Sequence, residues 1–170
     1  MFNHLFNHLF NHFTPIKLSR LLKLNLVCLI LLFSAPNQAD DNKQAAVVLD
    51  NLHHFAAKAD WDNYFSLYSD DAIFIGTDAS EYWNMTQFSQ YARPTKGWNY
   101  TLIERKMVRH GDAIVFDELL DSKSYGVSRG TGTLLLTANG WKIAQYHLSF
   151  PIPNKIAKKI TSQIKASTDN

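Results

Sequence analysis

Residues 98–150 read WNYTLIERKMVRHGDAIVFDELLDSKSYGVSRGTGTLLLTANGWKIAQYHLSF. Two short turn signals divide this stretch. Gly111-Asp112 separates residues 98–110 from 113–122, and Asn139-Gly140 separates 128–138 from 141–150. Asn-Gly between two β-prone runs is the strongest short-range hairpin signal, because both residues tolerate positive φ. The four segments are dense in Val, Ile, Leu, Thr and aromatic residues, so they predict two successive antiparallel hairpins. Pro151 and Pro153 stop the last strand, since proline has no N–H for the ladder.

Upstream of this meander the periodicity is helical. Asp40 or Asp41 can cap a helix running to about Ala59, with Val47, Val48, Leu52, Phe55 and Ala56 at helical spacing. Asp60 can cap a short second helix whose face carries Trp61, Tyr64, Phe65 and Tyr68. Residues 72–75 predict a short strand, 76–80 a loop, and 86–92 a third helix ended by Pro94. Downstream, 154–166 predict a terminal helix with Ile156, Ile160 and Ile164 on one stripe. Helices first and a meander afterwards define an α+β fold: a curved antiparallel sheet wrapped around N-terminal helices, plus a C-terminal helix. Such a sheet closes one cavity between its concave face and the helices.

The turns also predict which side chains share a face. With Asn139-Gly140 as a two-residue turn, Ala138 faces Trp141, Leu136 faces Ile143, Leu134 faces Gln145, Gly132 faces His147 and Gly130 faces Ser149. That face begins apolar and ends polar, as the wall of a ligand pocket would. Gln145, His147 and Trp141 are therefore candidate pocket residues, with a structural histidine and a glycine-assisted sheet bend as the plainer readings. With Gly111-Asp112 as the other turn, Met107 faces Phe116, Arg105 faces Glu118 and Ile103 faces Leu120. Arg105 and Glu118 then form a charged pair among apolar groups, which marks either a site or a structural ion pair. A one-residue change of turn would place Lys106 and Asp117 there instead. Tyr68 and Trp83 are candidate lining residues from the covering elements, and core packing explains them as well. Asp78 and Glu81 are a loop acid pair that is either solvated or at the mouth. His53-His54 points its rings apart on a helix, one half-buried and one exposed.

The first third of the chain has a different composition. Phe2–Phe13 repeats FNHL-FNHL-FNHF, Lys17, Arg20 and Lys23 follow, and Leu26–Phe33 is an unbroken apolar run before Ser34 and Ala35. A basic stretch, a short apolar core and small residues predict a secretory signal over 1–39, and so export to a periplasmic or extracellular location. Retention of the segment as an N-terminal anchor is the other reading. His4, His8 and His12 have helical spacing, but they precede the signal core and are expected to leave with it. A start codon placed too far upstream would also explain the repeat. Cys28 is the single cysteine, and Val27 before it disfavours lipidation, so the mature chain has no disulfide and no thiol chemistry. Three of the 17 basic residues lie in the leader, which leaves the remainder near neutral against 15 acidic residues. No nucleic-acid footprint is present.

Four phrases carry a family resemblance: AIFIGTDASEYW (72–83), GWNY (97–100), FDELLDSKSYGVSRGTGTL (116–134) and GWKIAQYHLSFPIPN (140–154). In this order they resemble the SnoaL-like group of the nuclear transport factor 2-like superfamily, over about Val47 to Asn154. The resemblance implies a cone-shaped fold with one domain over 40–154 and a terminal helix and tail over 155–170. It implies no single activity, because this fold hosts isomerases, hydrolases, cyclases and binding modules. In ketosteroid isomerase-like members the catalytic aspartate lies a few residues past an Asp-Ala pair. Here Asp71-Ala72 leads to Gly76, which carries no base, and that counts against steroid-type isomerisation.

No phosphate loop, metal-ligand spacing or nucleophile–base–orienter set occurs, so neither metal nor other cofactor is expected. Three functions compete: binding of a small apolar or amphipathic molecule, acid–base catalysis by Glu118 or His147, and a dimerisation module. In the expected register the convex face carries Leu135, Ala144, Tyr146, Leu148 and Phe150, with Thr131 and Thr133. So apolar a face predicts a homodimer, unless the terminal helix folds back over it. Membrane contact is expected only through the leader or that basic amphipathic helix.

Overall fold

The computed structural model describes residues 38–168; the FNHL repeat, the apolar run and Cys28 lie outside the described residues. Ten elements follow one another: α1 (Gln38–Ala57), α2 (Trp61–Ser66), β1 (Tyr68–Ile75), β2 (Tyr82–Asn84), α3 (Met85–Ala92), β3 (Thr101–His110), β4 (Ala113–Ser122), β5 (Gly126–Thr137), β6 (Gly140–Ser149) and α4 (Asn154–Thr168). The strands form one six-stranded sheet in the order β2-β1-β6-β5-β4-β3. The α+β class and the meander β3–β6 match the expectation. The sheet is mixed, however, because β1 runs parallel to β6.

Local signals set the helix starts. Asp60 caps α2, its carboxylate accepting the Asn63 N–H at 3.4 Å. Asn84 and Gln87 cap α3 reciprocally, at 3.0 and 3.1 Å. The buried stripe of α1 is Ala45, Leu49, Leu52 and Ala56, while Val47 stays exposed, so the inward face is rotated from the one expected. This stripe meets Ile114, Phe116, Leu134, Ile143 and Tyr146 of the sheet. Burying a side chain of that size contributes about 1.5–3 kcal/mol, which makes this layer contact the main cohesive term.

The sheet register departs from the expectation in one consequential way. The loop of the last hairpin is Ala138-Asn139, with Thr137 opposite Gly140, whose φ of +89° suits glycine. Leu134 then faces Ile143, and beyond Ala144 the register shifts, so that Thr133 faces Gln145. That bulge inserts one residue in β6, and an odd insertion exchanges the two faces. Trp141 and Ile143 point inward before it; Tyr146 is buried after it, opposite Gly132, and Leu148 lies opposite Gly130. Gln145 is exposed and His147 faces Thr131. Three residues expected on the convex face, Tyr146, Leu148 and Phe150, thus turn to the cavity. The convex face carries Thr131, Thr133, Gln145 and the Arg129–Asp117 ion pair beside exposed Val115 and Leu135. The terminal helix forms where expected, with Ile156 and Ile164 remaining exposed.

Candidate functional site

The β3–β4 hairpin turns at Gly111-Asp112 and pairs Arg105 with Glu118, as its turn predicts. A bulge at Ile103 then puts Leu102, not Ile103, opposite Leu120. Glu118 belongs to the inward row Ile114, Phe116, Glu118, Leu120 and is 0 % exposed. A carboxylate so deeply buried persists as an ion only with partners on all its lone pairs. Arg105 Nε donates to Glu118 Oε1 at 2.7 Å. The Arg105 NH2 group lies 2.7 Å from the same oxygen and 2.8 Å from Asp50 Oδ1, as a charge contact without hydrogen-bond alignment. Arg105 NH1 donates to the Ala46 carbonyl at 3.1 Å, which ties the hairpin to α1.

Glu118 Oε2 accepts from His53 Nε2 at 2.9 Å and from the Tyr146 hydroxyl at 3.3 Å. Burial pushes the Glu118 carboxyl up, but the bond and charge of His53 and those of Arg105 outweigh it and hold it below its ordinary range. The carboxylate can only accept, so His53 carries a proton on Nε2 and donates it to Glu118. Tyr146 shares this environment: burial, then the Glu118 charge, push its phenol well above the usual range, so it is a neutral donor.

Above this cluster lies a cavity of about 530 Å³, within the roughly 300–1,000 Å³ range of small-molecule pockets. Leu52, His53 and Ala56 of α1 border it on one side, and Phe74 of β1 with Gly76 just beyond the strand on another. Glu81, Trp83, Phe88, Tyr91, Trp98 and Tyr100 continue the wall, and Tyr146, Leu148 and Phe150 complete it from β6 and its end. Phe74 and Phe88 stack at 3.8 Å between ring centres, and Phe74 lies parallel to Tyr146 at 6.3 Å. The β4–β5 turn, Ser122 to Tyr125, forms the rim. Glycine at residue 130 makes room for the Tyr146 ring end: an added methyl there would overlap the Tyr146 hydroxyl and lie 2.7 Å from its Cζ.

Of the residues singled out from sequence, Trp83 and Glu81 line the cavity, while Asp78 does not. Arg105 and Glu118 sit on the inward side, as expected, but behind His53 and Tyr146 rather than in the wall. His147 and Gln145 are displaced to the opposite face by the bulge. Trp141 is buried under the Arg109 guanidinium, 5.6 Å from its ring centre, and Tyr68 is core, bonded to Tyr64 at 3.0 Å; neither is in the cavity wall. Lys106 and Asp117 pair with each other on the outward side of the hairpin. Sequence reasoning missed His53 and Tyr146 as site residues. The signal for His53 was a histidine one turn after Leu49, beside the buried stripe of α1; Tyr146 was hidden by the bulge.

A sequence profile for the SnoaL-like domain matches residues 46–153. The chain belongs to the SnoaL-like domain family. Its fold is that of the nuclear transport factor 2-like proteins. One such protein of unknown function from Shewanella baltica superposes with a TM-score of 0.55 at 14 % identity, over 68 % of this chain and 98 % of that one. Another of unknown function, from Pseudomonas putida, gives 0.59 at 14 % identity, over 70 % and 92 %. A protein provisionally assigned as an aromatic ring hydroxylase, from Novosphingobium aromaticivorans, gives 0.60 at 15 % identity, over 69 % and 93 %. Identities this low bear on the fold alone. No curated protein matches the sequence.

Proposed function

We propose that this protein binds a small, mostly apolar molecule of aromatic-ring size in the cavity, with a polar end directed at His53 and Tyr146. One observation carries the reading. The aromatic wall ends at two polar side chains that are both oriented by one buried carboxylate, Glu118. A few fixed polar groups at the end of an apolar cavity are what orients a ligand. Calorimetric titration of the full chain with 2-naphthol tests this. Saturable binding is expected, and Leu148→Trp, which fills the cavity from its wall, should abolish it. Identical heats in both proteins would refute the reading.

The Glu118–His53 bond favours a second reading, an acid–base enzyme. There His53 carries the proton and Glu118 positions the ring, in contrast to the Glu118 or His147 base expected from sequence. Turnover of enolisable ketones, lactones or epoxides that disappears in His53→Gln would move this reading ahead of simple binding. The leader read in the sequence supports a further proposal, that the protein acts outside the cytoplasm. N-terminal sequencing from the native host should find a first residue near Asp40, and an intact Met1 would count against export.

A further inference from the structure

We infer that the cavity selects an organic cation, a quaternary or alkylated ammonium group on an apolar body; this rests on the pocket reading above. The starting point is Gly76. A methyl added there would overlap Glu81 Oε2 and lie 2.8 Å from the Glu81 Cβ and Cδ atoms. The Glu81 side chain therefore lies flat over the Gly76 backbone. Its carboxylate occupies the wall space that a side chain at position 76 would fill. The Asp78 N–H, donating to Glu81 Oε2 at 3.1 Å, holds it there.

The cavity wall that Glu81 shares is largely aromatic. Glu81 and Trp83 alternate with Tyr82, which points out to solvent, so both face the cavity. Trp83 stacks on Phe74 at 6.1 Å and packs on Tyr91 at 4.8 Å between ring centres. Across the mouth Tyr125 stacks on Phe150 at 5.0 Å. Aromatic faces carry negative potential and attract a weakly hydrated cation, while an uncharged group of the same shape gains only burial. A carboxylate beside them adds a full charge of the same sign.

The basic groups nearby do not cancel this. Arg105 is engaged by Glu118 and Asp50, and His53 is tied to Glu118. Lys123 lies on the exposed β4–β5 turn at the cavity rim. Among the described residues, no lysine or arginine forms an ion pair with Glu81.

Three probes of one shape class separate the possibilities: benzyltrimethylammonium, its uncharged carbon isostere neopentylbenzene, and phenylacetate. Binding to the full chain is read from tryptophan fluorescence, since Trp83 and Trp98 are in the wall. The ammonium should bind at least about tenfold more tightly than neopentylbenzene. Glu81→Gln should shrink that preference, and Trp83→Leu should shrink it with Glu81 intact. Equal affinity for the two isosteres, or tightest binding of phenylacetate, overturns the cation while leaving the pocket reading in place. An unchanged preference in Glu81→Gln, in a variant that melts like the parent, also overturns it. If none of the three probes binds, both readings fall.

Discussion

Glu118→Ala is expected to destabilise the protein by about 3–5 kcal/mol, the range for breaking a buried ion pair by removing one partner. The loss is large because Arg105 stays behind with its side chain 9 % exposed, and its one remaining charged partner, Asp50, is 62 % exposed and well solvated. His53 and Tyr146 lose the same partner at once. Arg105→Met in the Glu118→Ala background should recover part of the loss, since it removes the stranded charge. The pH dependence follows from the direction of the Glu118 shift. The folded carboxyl titrates below its unfolded counterpart, which sits at about 4.3. Its ionisation therefore stabilises the fold above that unfolded value, and the contribution disappears as pH falls through the lower folded value. Glu118→Gln should flatten the acid limb of stability against pH. Urea unfolding at neutral pH and through the acid range measures both effects; a Glu118→Ala loss under about 1 kcal/mol would mean the cluster contributes no more than a surface pair.

Gly132→Ala is expected to cost about 3 kcal/mol or more, at the top of the range for overpacking. The added methyl would overlap the Gln145 carbonyl oxygen and lie 2.7 Å from Phe116 Cζ. The carbonyl cannot give way, because Gln145 is paired on both sides, with Thr133 of β5 and Ile73 of β1. Gly130→Ala makes a useful contrast. There the methyl meets the end of a side chain, the Tyr146 hydroxyl, which can rotate aside at the expense of its bond to Glu118. Gly132→Ala should therefore unfold at clearly lower denaturant than Gly130→Ala. The reverse order would show that the bulge beside Gly132 is soft.

The Glu118 and Gly132 predictions rest on features of different legibility. Arg105 opposite Glu118 followed from one turn, Gly111-Asp112, because a tight hairpin transmits its register residue by residue along the pair. The same reasoning placed Gly130, Gly132 and Leu134 on the cavity side of β5, where they are. It failed on β6, where the bulge at Ala144 reversed the faces and exchanged His147 and Gln145 for Tyr146 and Leu148. Nothing within a few residues of Ala144 announces that bulge. It arises where β6 must pair with β5 on one edge and β1 on the other, and β1 itself shifts register between Tyr68 and Ile73.

What the sequence by itself determined is therefore local or periodic: the cap Asp60, the two hairpins, the proline stop at Pro151, the α+β order of elements and the family they spell. Each depends on residues a few positions apart, whose geometry the chain settles before it packs. The tertiary structure alone decided the site. His53 meets Glu118 across 65 residues of sequence, and the Glu81 carboxylate fills the space left by Gly76. β1 enters the sheet parallel to β6. These pairings depend on how α1 and β1 dock against a twisted, bulged sheet, and that is settled by burying one apolar stripe and one carboxylate together rather than by any short stretch of chain.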